Sequence, residues 1–582
     1  MSLSNLLIKA HEVLSTKTKN LLFRLGEQDA QIVLFFSLSN GKTRAKVGQV
    51  KGKSFIDVWK RGAILAQQLA DKNKMIVRWL RIDWITSAES MSWEKFNSQY
   101  LTKNKRGYFR YGISFDDAFK CAFLEQELNA NAMFYMGSKT STAWFNEKNF
   151  MRYARSRYGS KISIDFSSSV PVIMFATQGV FVANDPALCN IPGNEYPQWL
   201  AEPDLNSGRR QIKYLSVDNV YSLILSGSKF LARQVNKEGK FIYGYFPCFA
   251  MKIPTYNSLR HASTTYSMIE AWELTQDNTL SLSIKRALHY LAESIIRRYP
   301  QEDGSVLAYN VDLNGEIKLG ANAVSLLAMV KYTEVTNDEQ YLPLMESLAL
   351  GIARMQDPET GRFFHVLNAS DLDIKEKFRI IYYDGEAAFG LMRLYGITKD
   401  PRWLAIVEKG FKYFLAAEHW KAHDHWLSYC VNELTLYKPD EKYFRFGVQN
   451  IAGHLDFIIH RITTYPTLLE LSMAFHSMLI RIQKMPEMQH ILAGFSVDKF
   501  YQALHYRAHY LLNGFFWPEF AMYYAKPSQI VGSFFIRHHA FRVRIDDVEH
   551  YLSGFIAYWK MLKEQEKDIG YAAPQPSILP LR

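Results

Sequence analysis

Residues 260–277, RHASTTYSMIEAWELTQD, read together with 319–338, LGANAVSLLAMVKYTEVTND, and 382–400, YYDGEAAFGLMRLYGITKD, decide the fold. Each stretch opens on a few polar residues, continues as a helix of small and apolar residues, and stops at a T-x-D or N-D turn. A helix that is apolar nearly all round has to be buried all round, so these are inner helices. The stretches that follow them, 281–299, 341–357 and 402–418, each carry one polar face and suit an outer position. The inner helices begin near Arg260, Gly320 and Asp384, spacings of 60 and 64 residues. Looser copies begin near His425, Tyr465 and Asp547, and outer partners near 217, 281, 339, 401, 448 and 498. A repeat of this length is one supersecondary unit that buries its apolar face only against its neighbours.

Six inner and six outer helices in alternation describe an (α/α)6 toroid. An open helical solenoid also stacks helix pairs, but the repeat length here varies, and polar residues recur where inner helices begin. A closed ring would expose those residues at one mouth. The expected fold class is therefore mainly α, with a toroid over 211–565, a C-terminal tail over 566–582, and a smaller α+β domain over 1–183. That domain reads as a hairpin around Asn40-Gly41, a helix over 55–69, a strand at 75–85, helices over 114–135 and 143–157, and strands at KISIDFS and VIMFATQGVFVA. Residues 184–210, rich in Pro, Asn, Asp and Gly, read as a linker.

The composition is that of a folded chain, 48% hydrophobic and 22% charged. A formal charge of +12 favours an anionic partner, yet the basic residues form no block, so no nucleic acid is expected. Aromatics at 14% suit a saccharide-facing hollow or simply large helical cores. The cysteines, Cys121, Cys189, Cys248 and Cys430, are far apart and read as free thiols of a reducing compartment. The first residues lack a signal peptide's apolar core, and no stretch reaches the ~20 apolar residues of a membrane span, so a cytoplasmic location is expected. P-loop, GxGxxG, HExxH and GxSxG motifs are missing, which weighs against nucleotide-driven and serine-hydrolase chemistry.

Through the repeats quoted above, residues 210–565 resemble the six-hairpin glycosidase superfamily, which includes glycoside hydrolases, sugar epimerases and polysaccharide lyases. The resemblance is architectural and carries no catalytic signature of any one family. It implies a carbohydrate-active enzyme with its site where the inner helices begin.

Several clusters fall there. Arg260, His261 and Tyr266 offer a carboxylate-binding guanidinium beside proton-moving groups. Tyr383, Asp384 and Glu386 supply carboxyls, but positions two apart diverge by about 200° on a helix, so both do not face one hollow. His425, Tyr429 and Glu433 share a face at successive i, i+4 steps. The run His423-Asp424-His425 invites a metal, but adjacent loop side chains are not a zinc spacing and no third ligand is indicated, so no metal or cofactor is expected. Near the C-terminus, Arg542 and Arg544 alternate on an extended stretch before Asp546, Asp547 and His550. The expected catalytic set is Asp384, Glu386, His425, Asp546 and Asp547. The substrate-binding set is Arg260, His261, Tyr266, Tyr383, Tyr429, Glu433, Arg542, Arg544 and His550.

These residues fit a glycoside hydrolase-like protein acting on an acidic or amino-sugar saccharide. Two alternatives use the same scaffold: a sugar epimerase or lyase, and a non-catalytic polymer-binding accessory protein of cell-envelope or capsule polymer biosynthesis.

Overall fold

The computed structural model describes residues 2–104, 108–137, 140–184 and 197–569. Before the repeats lies an antiparallel sheet of seven strands: β1 (Ile32–Ser39), β2 (Lys46–Gly52), β3 (Trp79–Ser92), β4 (Gly112–Ser114), β5 (Ala122–Phe123), β6 (Pro171–Ala183) and β7 (Gln198–Trp199). Their order is β2-β1-β3-β6-β4-β5, with β7 also on β6. The β1–β2 hairpin turns where Asn40 accepts from the backbone of Lys42 and Thr43, both at 2.9 Å. Helices α1 (Leu3–Ser15), α2 (Phe55–Lys72) and α3 (Glu147–Tyr158) accompany the sheet.

Two expected elements are absent. Residues 114–135 do not form one helix: Asp116 accepts from the amides of Lys120 and Cys121 at 2.9 and 2.7 Å, closing a tight turn between β4 and β5. Only Glu125–Ala130 is helical there. KISIDFS (161–167) pairs with no strand. Residues 185–196 of the expected linker and the tail from 570 lie outside the described residues, as does Cys189. The rest of the linker is packed: β7 joins the sheet, and Arg209 and Arg210 are buried.

From 217 onward, outer and inner helices alternate. The outer set is α4 (Val217–Gln234), α6 (Asn278–Tyr290), α8 (Leu342–Arg354), α10 (Pro401–Ala416), α12 (Glu441–Ala452) and α14 (Val497–Tyr510). The inner set is α5 (Ser258–Thr275), α7 (Leu319–Thr336), α9 (Tyr382–Thr398), α11 (His425–Tyr437), α13 (Thr467–Lys484) and α15 (Ile545–Ile569). Each inner helix packs on the next, and α15 packs back on α5 and α4. The ring closes, so the fold is an (α/α)6 toroid.

The repeated turn has a local cause. Gln276, Asn337 and Lys399 end three inner helices in the left-handed conformation. Asp277 and Asp400 then accept the first free amides of the next outer helix, from Leu280 and Arg402 at 3.0 Å. One tripeptide thus stops a helix and starts its antiparallel partner. Burial follows the sequence as well: Leu319 to Thr333 of α7 are buried without a break.

The sheet sits on the loops that lead into the inner helices. Arg44 donates to the carbonyls of Ala130, Tyr523 and Cys248 at 2.8–3.0 Å, and Arg81 to those of Gly208 and Glu519. The sheet therefore flanks the end of the ring at which inner helices begin.

Candidate active site at the mouth of the ring

Ring closure assembles the first polar group. Val543–Arg544 pairs antiparallel with the strand Gly244–Phe246, which precedes α5. This brings the start of the last inner helix against the start of the first. Arg260 Nε stands 3.3 Å from Asp546 Oδ2, and Arg544 reaches Asp546 at 2.8 Å and Asp547 at 3.0 Å. Asp546 and Asp547 are buried, while 30% of the Arg260 side chain stays exposed, so the hollow opens to solvent there. Arg542 joins none of these ion pairs among the described residues.

From α9, Glu386 faces this group. Its Oε2 lies against Gly320 of α7, where a Cβ would come within 1.8 Å, so the approach needs a glycine. Burial pushes the Glu386 carboxyl up to about 8; Arg260 pulls it back and Asp424 adds to the rise. Glu386 is thus largely protonated at neutral pH, and Oε2 has no hydrogen-bond partner.

Asp384 turns the other way, as the two-residue spacing predicts. Its Oδ2 is 3.3 Å from His365 Nε2 and 3.5 Å from His419 Nε2. Burial pushes this carboxyl up, but hydrogen bonds from the two imidazoles outweigh it and hold it below its ordinary value. His365 Nδ1 accepts the Arg379 amide at 3.0 Å, so the Asp384 group fixes the loop before α9. Tyr383 stays with His365, ring centroids 5.4 Å apart, rather than reaching Asp546.

The second polar group spans α11, α13 and α15. The His425 and His550 rings meet edge to face, centroids 5.4 Å apart. His550 Nδ1 is 2.8 Å from Glu470 Oε2, its Nε2 is 3.4 Å from Glu549, and Tyr429 donates to Glu470 Oε1 at 3.3 Å. His425 Nδ1 lies 3.2 Å from Asp424, leaving a buried Nε2 with no partner. Burial raises both Glu470 and Glu549 to about 8, and it lowers His550 below its ordinary value against the pull of Glu549.

Two expected site residues lie deeper and one lies outside. Tyr266 is coupled to Glu270, and Glu433 stands 4.0 Å from Arg393, which pairs with Glu334. His261 faces the outer helix α6, with Nε2 at 2.9 Å from the Ala287 carbonyl and Nδ1 at 2.7 Å from the Tyr256 hydroxyl. Burial lowers it to about 4, the state of a packed, neutral imidazole.

Glu470 and Glu549 are the site residues that sequence reasoning missed. Glu470 interrupts the apolar run TLLELSMAF, and a lone acid inside a buried inner helix is the signal that marks it.

Neither a family model nor a curated protein matches the sequence. Solved structures do resemble the ring. A cellobiose 2-epimerase from Bacillus thermoamylovorans B4167 aligns at 10% identity and TM-score 0.45, covering 59% of this chain and 99% of its own. A D-mannose isomerase aligns at 10% and 0.43, covering 59% and 97%. An unsaturated glucuronyl hydrolase specific for heparin aligns at 12% and 0.40, covering 59% and 98%. What the ring does is read from its own side chains.

Proposed function

We propose that the mouth of the ring is the reaction centre of a carbohydrate-active enzyme, glycoside hydrolase-like in its chemistry. One observation carries this reading: a buried Glu386, its carboxyl pushed up by burial and pulled back by Arg260, and an Asp546 ion-paired with Arg260 come from opposite sides of the ring to that one partly exposed guanidinium. Breaking a glycosidic bond needs an acid for the departing oxygen and a carboxylate facing the positive charge that develops on the sugar. Glu386 fits the first role, because a carboxyl with a raised pKa still holds its proton at neutral pH. Asp546 fits the second, with Asp547 steadying Arg544 beside it.

The charge balance refines the substrate. Asp424, Asp546 and Asp547 line the two polar groups against Arg260 and Arg544, with Glu386, Glu470 and Glu549 pushed toward their neutral forms by burial, and both guanidiniums are already engaged with Asp546. A uronic acid would find no uncommitted cation there, whereas sugar hydroxyls or an amino group would meet carboxyl oxygens. Of acidic and amino saccharides, the mouth suits the amino ones, and neutral ones equally.

One observation favours a second reading. The unpartnered Nε2 of His425, on a ring 5.4 Å from that of His550, could take a proton from a sugar carbon, as an epimerase or isomerase requires. The test is a panel of neutral, amino and uronic saccharides, scored by thermal shift and turnover with wild type and Glu386→Gln. Hydrolysis of a neutral or amino saccharide that Glu386→Gln abolishes supports the first reading. Epimerisation that survives Glu386→Gln and fails in His425→Ala supports the second. Binding without turnover leaves the accessory role, and a preference for uronic substrates overturns the charge argument.

A further inference from the structure

We infer that His425, Glu470 and His550 form a binding site for one divalent first-row transition ion of the zinc type. The inference takes from the proposed function only the location of the hollow. One ligand atom from each of the three side chains lies within 4.8 Å of the others. Ligands about 2.1 Å from a tetrahedral ion stand about 3.4 Å apart, so modest side-chain rotation closes the set. Two imidazoles and a carboxylate are a donor set that zinc accepts while keeping a fourth position open.

The surroundings make the stronger case. In metal sites, the far atom of each ligand is held by a further group that fixes orientation and tautomer. Here each of the three has a polar group beside it. Asp424 Oδ2 stands 3.2 Å from His425 Nδ1 without hydrogen bonding to it, a charge that favours a proton on that nitrogen, and His425 Nε2 is left without a partner. Glu549 stands 3.4 Å from His550 Nε2, leaving Nδ1 turned toward Glu470. Tyr429 donates to Glu470 Oε1, leaving Oε2 turned toward His550. His425 Nε2 is the independent sign: a ring nitrogen on a side chain only 4% exposed, with no hydrogen-bond partner. His550 keeps 13% of its side chain exposed, which gives an ion a way in. The ligands come from three successive inner helices, each packed on the next.

The experiment uses the full chain, stripped with EDTA and titrated with Co2+ by visible absorption and with Zn2+ by calorimetry. The expected result is one ion per chain, with a Co2+ d–d band. His425→Ala and Glu470→Gln should each weaken binding at least tenfold, and Asp424→Asn about tenfold through the second layer. His490→Ala, at an exposed histidine, should change nothing. Circular dichroism checks that each variant is folded, and the three site variants stand in for one another if one is not. No saturable binding up to millimolar ion overturns the site, and so does binding that His425→Ala and Glu470→Gln leave intact. Saccharide thermal shifts are measured on the stripped chain, so this inference and the proposed function fail separately.

Discussion

The mouth of the ring and the seam between ring and sheet are both rich in buried charge, but they leave opposite atoms over. At the seam, Arg210 pairs with Glu519 at 2.7 Å, Arg81 with Asp83 at 2.7 Å, and Arg157 with Glu127 at 2.5 Å. The buried atoms left without partners at the seam are mainly donors: Arg210 Nη1, Arg209 Nη2, Arg537 Nε and Arg157 Nε. At the mouth they are mainly acceptors, or carboxyl oxygens able to take a proton: Glu386 Oε2, Asp546 Oδ1, Asp424 Oδ2 and His425 Nε2, with Arg542 Nε a donor left over among the expected site residues. Arg210 and Arg157 have already met their counter-ions, and Arg209 and Arg537 give their other N–H groups to neutral acceptors, so a spare N–H there loses little. Spare acceptors suit hydroxyls, an ammonium or a cation as partners. The seam is built to hold, and the mouth to receive.

That contrast predicts a split between stability and activity. Glu519→Ala should cost about 3–5 kcal/mol, because Arg210 stays buried without its carboxylate. Urea unfolding measures it; a loss below 1 kcal/mol would mean the seam does not hold as described. Glu386→Gln should do the reverse, cutting turnover by about 10²–10⁴-fold with no loss of stability at neutral pH. Gly320→Ala lies between them. Its new Cβ would overlap Glu386 Oε2 and press on the Tyr383 ring, so the acid must move. Overpacking of this kind costs about 1–3 kcal/mol, and we expect a tenfold or larger fall in kcat with KM little changed. Unchanged kcat in Gly320→Ala would show that the position of Glu386 is immaterial.

The same contrast explains what the sequence discloses. Inner-helix starts expected near 260, 320, 384, 425, 465 and 547 fall at 258, 319, 382, 425, 467 and 545. They are legible because apolar periodicity and the T-x-D stop are local signals, and the chain repeats them. The opposed directions of Asp384 and Glu386 are legible for the same reason, since helix geometry alone sets them. Partners across the ring are not legible. Glu470 joins His550 from 80 residues away, and although its place in TLLELSMAF marks a buried acid, nothing there names the partner. His261 and Arg542 share the composition of their site-forming neighbours, and only packing sends His261 to Ala287 and leaves Arg542 outside the ion pairs. Residues 114–135 failed as a helix because Asp116 spends its carboxylate on two backbone amides, a choice that apolar periodicity does not register.

The smallest expected effect is the one that tests the mouth's electrostatics most directly. Burial raises the Glu386 carboxyl from 4.5 to about 8, so the folded chain holds a proton that the unfolded chain has released. Between those values folding takes up a proton, and stability must fall as pH rises from about 4.5 to about 8. Glu519 has the opposite sign: burial pushes it up, but Arg210 wins and holds it low, so its contribution is lost on acidification. Buried histidines such as His261 and His505, lowered to about 4, add stability as pH climbs toward 6.5 and are silent above it. The Glu386 contribution is therefore cleanest between pH 6.5 and 8, taken as wild type minus Glu386→Gln. Across that window the wild-type melting temperature should drop by a few degrees more than the variant's. Equal slopes would mean that Glu386 is already ionised, and with it would go both the proton donor and the contrast between the mouth and the seam.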